Sequence, residues 1–174
     1  MEKEYVCNYN SKIGKLTLIS DGENITGLFI KNIEYSKNSE IINMSLSSLE
    51  IFKKAKIWLD CYFSGQAPDF IPNIKLKGTE FRKLVWKIIG DIPYGEVITY
   101  GDIAKMVAKK MGKTKMSSQA VGGAVGSNPI SIIVPCHRVV GAKGNLTGYG
   151  GGIDIKVKLL TLEGIGMDKF HMPK

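Results

Sequence analysis

A stretch containing Pro68, Pro72 and Gly78 interrupts the chain at residues 66–78. Proline removes a backbone donor and glycine favours turns, so neither a regular helix nor a central strand runs through it. The length fits one ordinary domain or two small ones; the stretch reads as the boundary between a small α/β domain at 1–78, with its linker at about 66–78, and a second domain at 79–174. The 174 residues suffice for a core without disulfides or metals. Charge divides in the same way. Residues 1–79 hold ten Lys against nine Asp or Glu, whereas residues 80–174 hold fourteen Lys or Arg against seven Asp or Glu. A basic second half suggests a polyanionic partner; the bland alternative is a lysine-rich solubility bias.

The first half carries no obvious chemistry. Lys15 to Ile19 and Ile25 to Ile30 read as two strands around the turn Asp21-Gly22-Glu23-Asn24, and residues 33–43 as a polar connection. Leu46, Leu49, Phe52, Trp58, Leu59 and Phe63 recur near the helical period from about Ser45 to Phe63, with Gly65 and Pro68 as stop signals.

The second half opens with three helices. Thr79 is a good N-cap for a helix carrying Phe81, Leu84, Val85 and Ile88 and stopping at Gly90. Thr99, with Asp102 three residues on, starts a helix bearing Ile103, Met106 and Val107. A basic turn from Lys109 to Lys115 leads to Ser117 and Ser118, which cap a third helix. The pair fits a helix-turn-helix, though its turn is long. The third helix contains Gly122 and Gly123, each costing about 1 kcal/mol relative to alanine. Either a neighbouring helix or a nucleic-acid groove must approach it closely.

Ile130 to Val134 reads as a buried strand running into Pro135-Cys136-His137-Arg138-Val139. A lone cysteine after an apolar strand is usually an inert small hydrophobe. Here Pro135 ends regular pairing just before the thiol, and His137 and Arg138 add positive charge that favours thiolate. Adjacent side chains in a strand point apart, so the chain must turn at Cys136, or a water must bridge it to His137. His137 also needs an acid to orient it, and Glu163 in the last helix is a candidate. Three cysteines without CxxC spacing and only two histidines disfavour disulfides, redox chemistry and a zinc site. No apolar run approaches the roughly 20 residues of a membrane span, and the N-terminus lacks a secretory apolar core. A cytoplasmic monomer with no membrane association is expected.

Pro135-Cys136-His137-Arg138-Val139 resembles the acceptor motif of the O6-alkylguanine-DNA alkyltransferases. The likeness runs from about Phe81 to Gly164 and includes Thr99-Tyr100-Gly101, Ala120-Val121-Gly122-Gly123-Ala124, Asn128-Pro129 and Leu159 to Gly164. It implies an α+β chain with an N-terminal ribonuclease-H-like α/β domain and a C-terminal winged-helix-like domain carrying a helix-turn-helix. It also implies the reaction: the protein binds duplex DNA in the minor groove, flips O6-alkylguanine into a pocket, and moves the alkyl group irreversibly to its own cysteine, without a cofactor.

By the same resemblance Cys136 is the acceptor, His137 its base through a water, Glu163 the polarising acid, and Tyr100 the group that turns the nucleotide and protonates departing guanine. Asn128 is the hinge. Backbone carbonyls of Cys136 and Val139 accept the guanine amino group. Tyr149, Gly150, Val125 and Ser131 complete the pocket. Ser118, Gln119, Ala120, Gly122, Gly123, Lys115 and Arg138 are assigned to the DNA contact, with a structural ion pair an equal alternative for Arg138. Gln119 stands where many members have arginine, Gly150 where some have serine, and Ala108 to Met116 exceeds the usual turn. A reader of alkylated DNA, a cysteine hydrolase and a plain winged-helix regulator are the competing classes. Cys136 argues against the first.

Overall fold

A computed structural model describes residues 1–31, 33, 35 and 37–173. The chain forms two compact units, Met1–Lys77 with Pro129–Ser131, and Gly78–Asn128 with Ile132–Lys174.

The first unit is a four-stranded sheet of order β3-β2-β1-β4 with one helix. Strands β1 (Glu2–Ser11) and β2 (Gly14–Ser20) form an antiparallel hairpin, with Val6 opposite Ile19 and Ser11 opposite Gly14. Strand β3 (Ile25–Phe29) continues the meander, and β4 (Ser39–Asn43) lies parallel to β1. Alternation along β2 buries Leu16 and Leu18 together with Phe52, Ala55, Leu59 and Tyr62 of α1 (Glu50–Phe63).

Local polar chemistry shifts two boundaries. The helix expected from Ser45 starts at Glu50, because Ser45 to Ser48 form a turn: the Ser48 N–H donates to the Ser45 carbonyl at 3.1 Å and their hydroxyls are 2.6 Å apart. Serine competes with helix in this way. The polar connection expected at 33–43 contains β4, a half-buried strand whose pairing is supplied by the edge of β1. Glu34 and Ser36 of that connection lie outside the described residues.

The expected strand over Ile130–Val134 is broken. Pro129 to Ser131 join the first unit: the Leu28 N–H donates to the Pro129 carbonyl and the Ser131 N–H to the Leu28 carbonyl, both at 3.0 Å. Ile132 then turns with φ of 72°, unusual for a buried β-branched residue.

The second unit is mainly helical: α2 (Glu80–Gly90), α3 (Tyr100–Lys110), α4 (Ser118–Gly126) and α5 (Ile153–Leu162). Thr79, Thr99 and Ser117 cap the first three, their hydroxyls accepting from the N–H of Arg82, Asp102 and Ala120. The Trp86 indole donates to the Ala124 carbonyl at 2.8 Å and ties α2 to α4. Strands β5 (Ile98–Thr99) and β6 (Val139–Val140) pair in parallel. Val140, Leu146 and Leu160 form a cluster that seats α5. Among the described residues no helix is long and apolar enough to cross a membrane.

Candidate active site

The β5–β6 pairing brings two distant stretches side by side. Tyr100, the first residue of α3, follows β5 directly, and Cys136 lies three residues before β6. Pro135 has φ of −83° and ψ of 66°, and the Cys136 N–H donates to the Val134 carbonyl at 2.8 Å. That closes an inverse γ-turn. Cys136 to Arg138 continue as one turn of 3-10 helix, so the chain does turn at the thiol. Asn128, just after α4, donates from Nδ2 to the same Val134 carbonyl at 2.8 Å.

Cys136 is 7% exposed. Burial raises its thiol above the ordinary value, while the Asn128 side chain and the positive charge of Lys156 pull it back. The expectation that His137 and Arg138 supply the positive field is thereby corrected. The Arg138 charge is neutralised by Glu163: its Nε donates to Glu163 Oε1 at 2.7 Å and its Nη1 to the Ile92 carbonyl at 2.7 Å, over the Tyr94 ring. Arg138 is buried, and its geometry matches the structural ion pair, not a DNA contact.

His137 is wholly buried, and its Nε2 is hydrogen-bonded to Glu163 Oε2. Glu163 caps the end of α5 from the first position past it, and Oε1 also accepts from the Gly95 N–H at 3.0 Å. Burial opposes charge on Glu163. The His137 and Gly95 hydrogen bonds and the Arg138 charge outweigh it, so the carboxyl stays well below the usual range. Burial holds His137 below its ordinary value of 6.5 against the pull of Glu163. A neutral imidazole donating from Nε2 to a carboxylate carries its lone pair on Nδ1.

Lys156 was missed in the sequence. It is fully buried, and Nζ donates to the carbonyls of Val139 at 2.5 Å, Gly148 at 3.3 Å and Thr147 at 3.4 Å. One sign was available: Lys156 precedes Leu159 by three residues and Leu160 by four, so a lysine occupies the apolar stripe of α5. The Tyr100 hydroxyl lies 3.1 Å from the Thr147 carbonyl and 3.3 Å from that of Gly148. The Tyr149 hydroxyl is buried with no hydrogen-bond partner among the described residues. Burial, then the nearby Cys136, raise its ionisation well above the ordinary value.

The remaining assigned residues separate by location. Val125 is buried on α4 and Val139 is buried in β6, while Gly150 is exposed. Ser131 belongs to the first unit. Lys115, Ser118, Gln119, Ala120 and Gly123 are exposed, and Gly122 is half-buried. Among the described residues, a Cβ on Gly122, Gly123 or Gly126 would meet nothing within 4 Å. No neighbouring helix therefore requires these glycines; α4 presents a bare face.

Comparison with known proteins follows the same division. The profile described as "6-O-methylguanine DNA methyltransferase, DNA binding domain" matches residues 80–165, and the profile described as "6-O-methylguanine DNA methyltransferase, ribonuclease-like domain" matches residues 5–76. A methylated-DNA–protein-cysteine methyltransferase of Methanosarcina acetivorans is 43% identical over 160 residues, covering 92% of this chain and 98% of its own. That of Haemophilus influenzae is 41% identical over 163 residues, covering 92% and 87%. Among solved structures, the Mycobacterium tuberculosis OGT in complex with DNA superposes with a TM-score of 0.78 at 40% identity, covering 91% of this chain and 92% of that one. The O6-methylguanine-DNA methyltransferase of Pyrococcus kodakaraensis gives 0.55 at 26% identity, covering 93% and 99%. An α+β chain with a ribonuclease-like sheet unit, a helical DNA-binding unit and a buried Cys136 beside the His137–Glu163 pair belongs to the methylated-DNA–protein-cysteine methyltransferase family.

Proposed function

We propose that this chain repairs duplex DNA by moving the alkyl group of O6-alkylguanine onto Cys136, once per molecule. The observation that carries this reading is a shielded thiol, hydrogen-bonded at its own N–H, next in the chain to a buried histidine that a buried carboxylate orients. Displacement at a saturated carbon needs a soft nucleophile and a protonated leaving group.

In this reading each residue of the site has one role. Nδ1 of His137 takes the thiol proton through a water, and the Glu163 carboxylate holds the resulting imidazolium. The thiolate attacks the alkyl carbon; the S–C bond forms as the C–O6 bond breaks. The bonding pair stays with guanine, and the Tyr100 hydroxyl gives its proton to a ring nitrogen. The imidazolium proton restores Tyr100, so the thiol proton ends on guanine. The thioether has no route back, which makes the protein the consumed reagent.

The bare glycine face of α4 with Gln119 at its exposed start suits insertion into the minor groove, with Gln119 filling the space of the flipped base. Exposed Lys115 in the preceding turn suits a phosphate contact. Wild-type protein mixed with an oligonucleotide containing O6-methylguanine is expected to gain the mass of one methyl replacing one hydrogen, and Cys136→Ala to gain nothing. Repeated turnover by unmodified protein, or tight binding without modification, overturns this reading.

A further inference from the structure

Lys156 and Tyr100 reach the same two backbone oxygens. Nζ of Lys156 donates to the Thr147 and Gly148 carbonyls at 3.4 and 3.3 Å, and the Tyr100 hydroxyl lies 3.1 and 3.3 Å from them. The third contact of Nζ is the Val139 carbonyl at 2.5 Å. An ammonium has three N–H donors, and three acceptors surround this one. Tyrosine has one hydroxyl proton and can serve only one of its two carbonyls at a time. Gly148 adopts φ of 77°, and a Cβ there would sit 3.0 Å from the Tyr100 hydroxyl oxygen, so the loop backbone lies directly against that hydroxyl.

We propose that Lys156 is a positioning residue for alkyl transfer: by holding the Thr147 and Gly148 carbonyls itself, it lets the Tyr100 hydroxyl leave them for the departing guanine. The inference rests on the repair reading above, in which Tyr100 supplies the leaving-group proton. Thr147 and Gly148 are exposed, so water can replace Tyr100 at their carbonyls, but an oxygen that already accepts from an ammonium is a weaker acceptor for the tyrosine hydroxyl. With Lys156 in place, both carbonyls stay satisfied when Tyr100 swings to substrate. With Lys156 absent, Tyr100 becomes their donor and is detained. The bond to Val139 anchors the same ammonium to β6, so the loop, the strand after the acceptor and the tyrosine share one fixed point.

The test is single-turnover methyl transfer from duplex O6-methylguanine and from the free base, measured for wild type, Lys156→Met, Lys156→Arg, Tyr100→Phe and the Lys156→Met/Tyr100→Phe double variant. Lys156→Met is expected to lower the limiting rate on the order of tenfold to a hundredfold, the factor for a hydrogen bond donated by a charged group. The DNA concentration for half-maximal rate should not move, since Lys156 is buried and α4 is untouched. Tyr100→Phe should cost much less in the Lys156→Met background than alone, and Lys156→Arg should recover part of the rate. If Lys156→Met does not fold, as judged by circular dichroism, Lys156→Gln, which keeps two N–H donors, takes its place with the same expected coupling. Transfer at the wild-type rate, additive losses with Tyr100→Phe, or a loss confined to DNA binding overturns the inference. Failure of wild type to become methylated overturns the repair reading instead.

Discussion

Asn128 and Cys136 donate to one oxygen. The side-chain amide of Asn128 and the backbone N–H of Cys136 each reach the Val134 carbonyl at 2.8 Å. That carbonyl thus uses both lone pairs to join the end of α4, the helix with the bare outer face, to the thiol-bearing turn. Asn128→Ala removes one of these bonds and is expected to destabilise the protein by about 1 kcal/mol. It should slow methylation by more than that stability loss alone explains. Urea unfolding and single-turnover labelling on the same variant separate the two effects.

Glu163 bonds both His137 and Arg138 in a site closed to solvent. Glu163→Gln leaves a buried guanidinium without its counter-charge, which costs about 3–5 kcal/mol. The pH dependence has a definite sign. Glu163 is depressed when folded, from 4.5 to about 2, so its contribution is complete above 4.5 and is lost as pH falls toward 2. His137 is also depressed when folded, so stability begins to fall as pH drops through its ordinary 6.5. Denaturant midpoints between pH 8 and pH 3 should decline in wild type, with the lowest segment missing in Glu163→Gln.

Ile132 inverts a familiar order of substitutions. Glycine normally destabilises more than alanine, but at φ of 72° alanine is strained and glycine is not. Both variants lose the buried side chain and should be destabilised. Ile132→Gly is expected to be the more stable of the two by about 1 kcal/mol, measured from denaturant midpoints.

Gln119 is exposed at the first turn of α4 and has no part in the acceptor site. Gln119→Gly is expected to slow methylation from duplex DNA while leaving methylation by a free base analogue near the wild-type rate. Equal slowing on both substrates would remove Gln119 from the base-flipping role.

Lys115 offers an exposed charge just before α4. Lys115→Ala should weaken binding to damaged and undamaged duplex alike and reduce the slope of log affinity against log salt by about one. Titrations at several salt concentrations measure this directly. An unchanged slope would place Lys115 away from the phosphates.

The sequence by itself determined features whose causes are local. The caps at Thr79, Thr99 and Ser117 act on N–H groups three residues away, and all three appear as read. The alternation of β2 and the turn at Pro135 are likewise short-range. The motif around Cys136 marked the candidate acceptor thiol for the same reason, since proline and histidine flank it in the chain.

Tertiary structure decided what depends on partners far away in sequence. Strand β4 is too polar to declare itself and exists through pairing with β1. Ile130 and Ser131 leave the apparent strand because Leu28 pairs with Pro129 and Ser131 on either side of Ile130. The charge of Arg138, adjacent to the acceptor in sequence, is cancelled by Glu163, while Lys156 supplies the positive field from α5. Burial is the underlying reason. Removing these groups from water makes each charge and carbonyl demand a specific partner, and only the folded chain determines which one it finds.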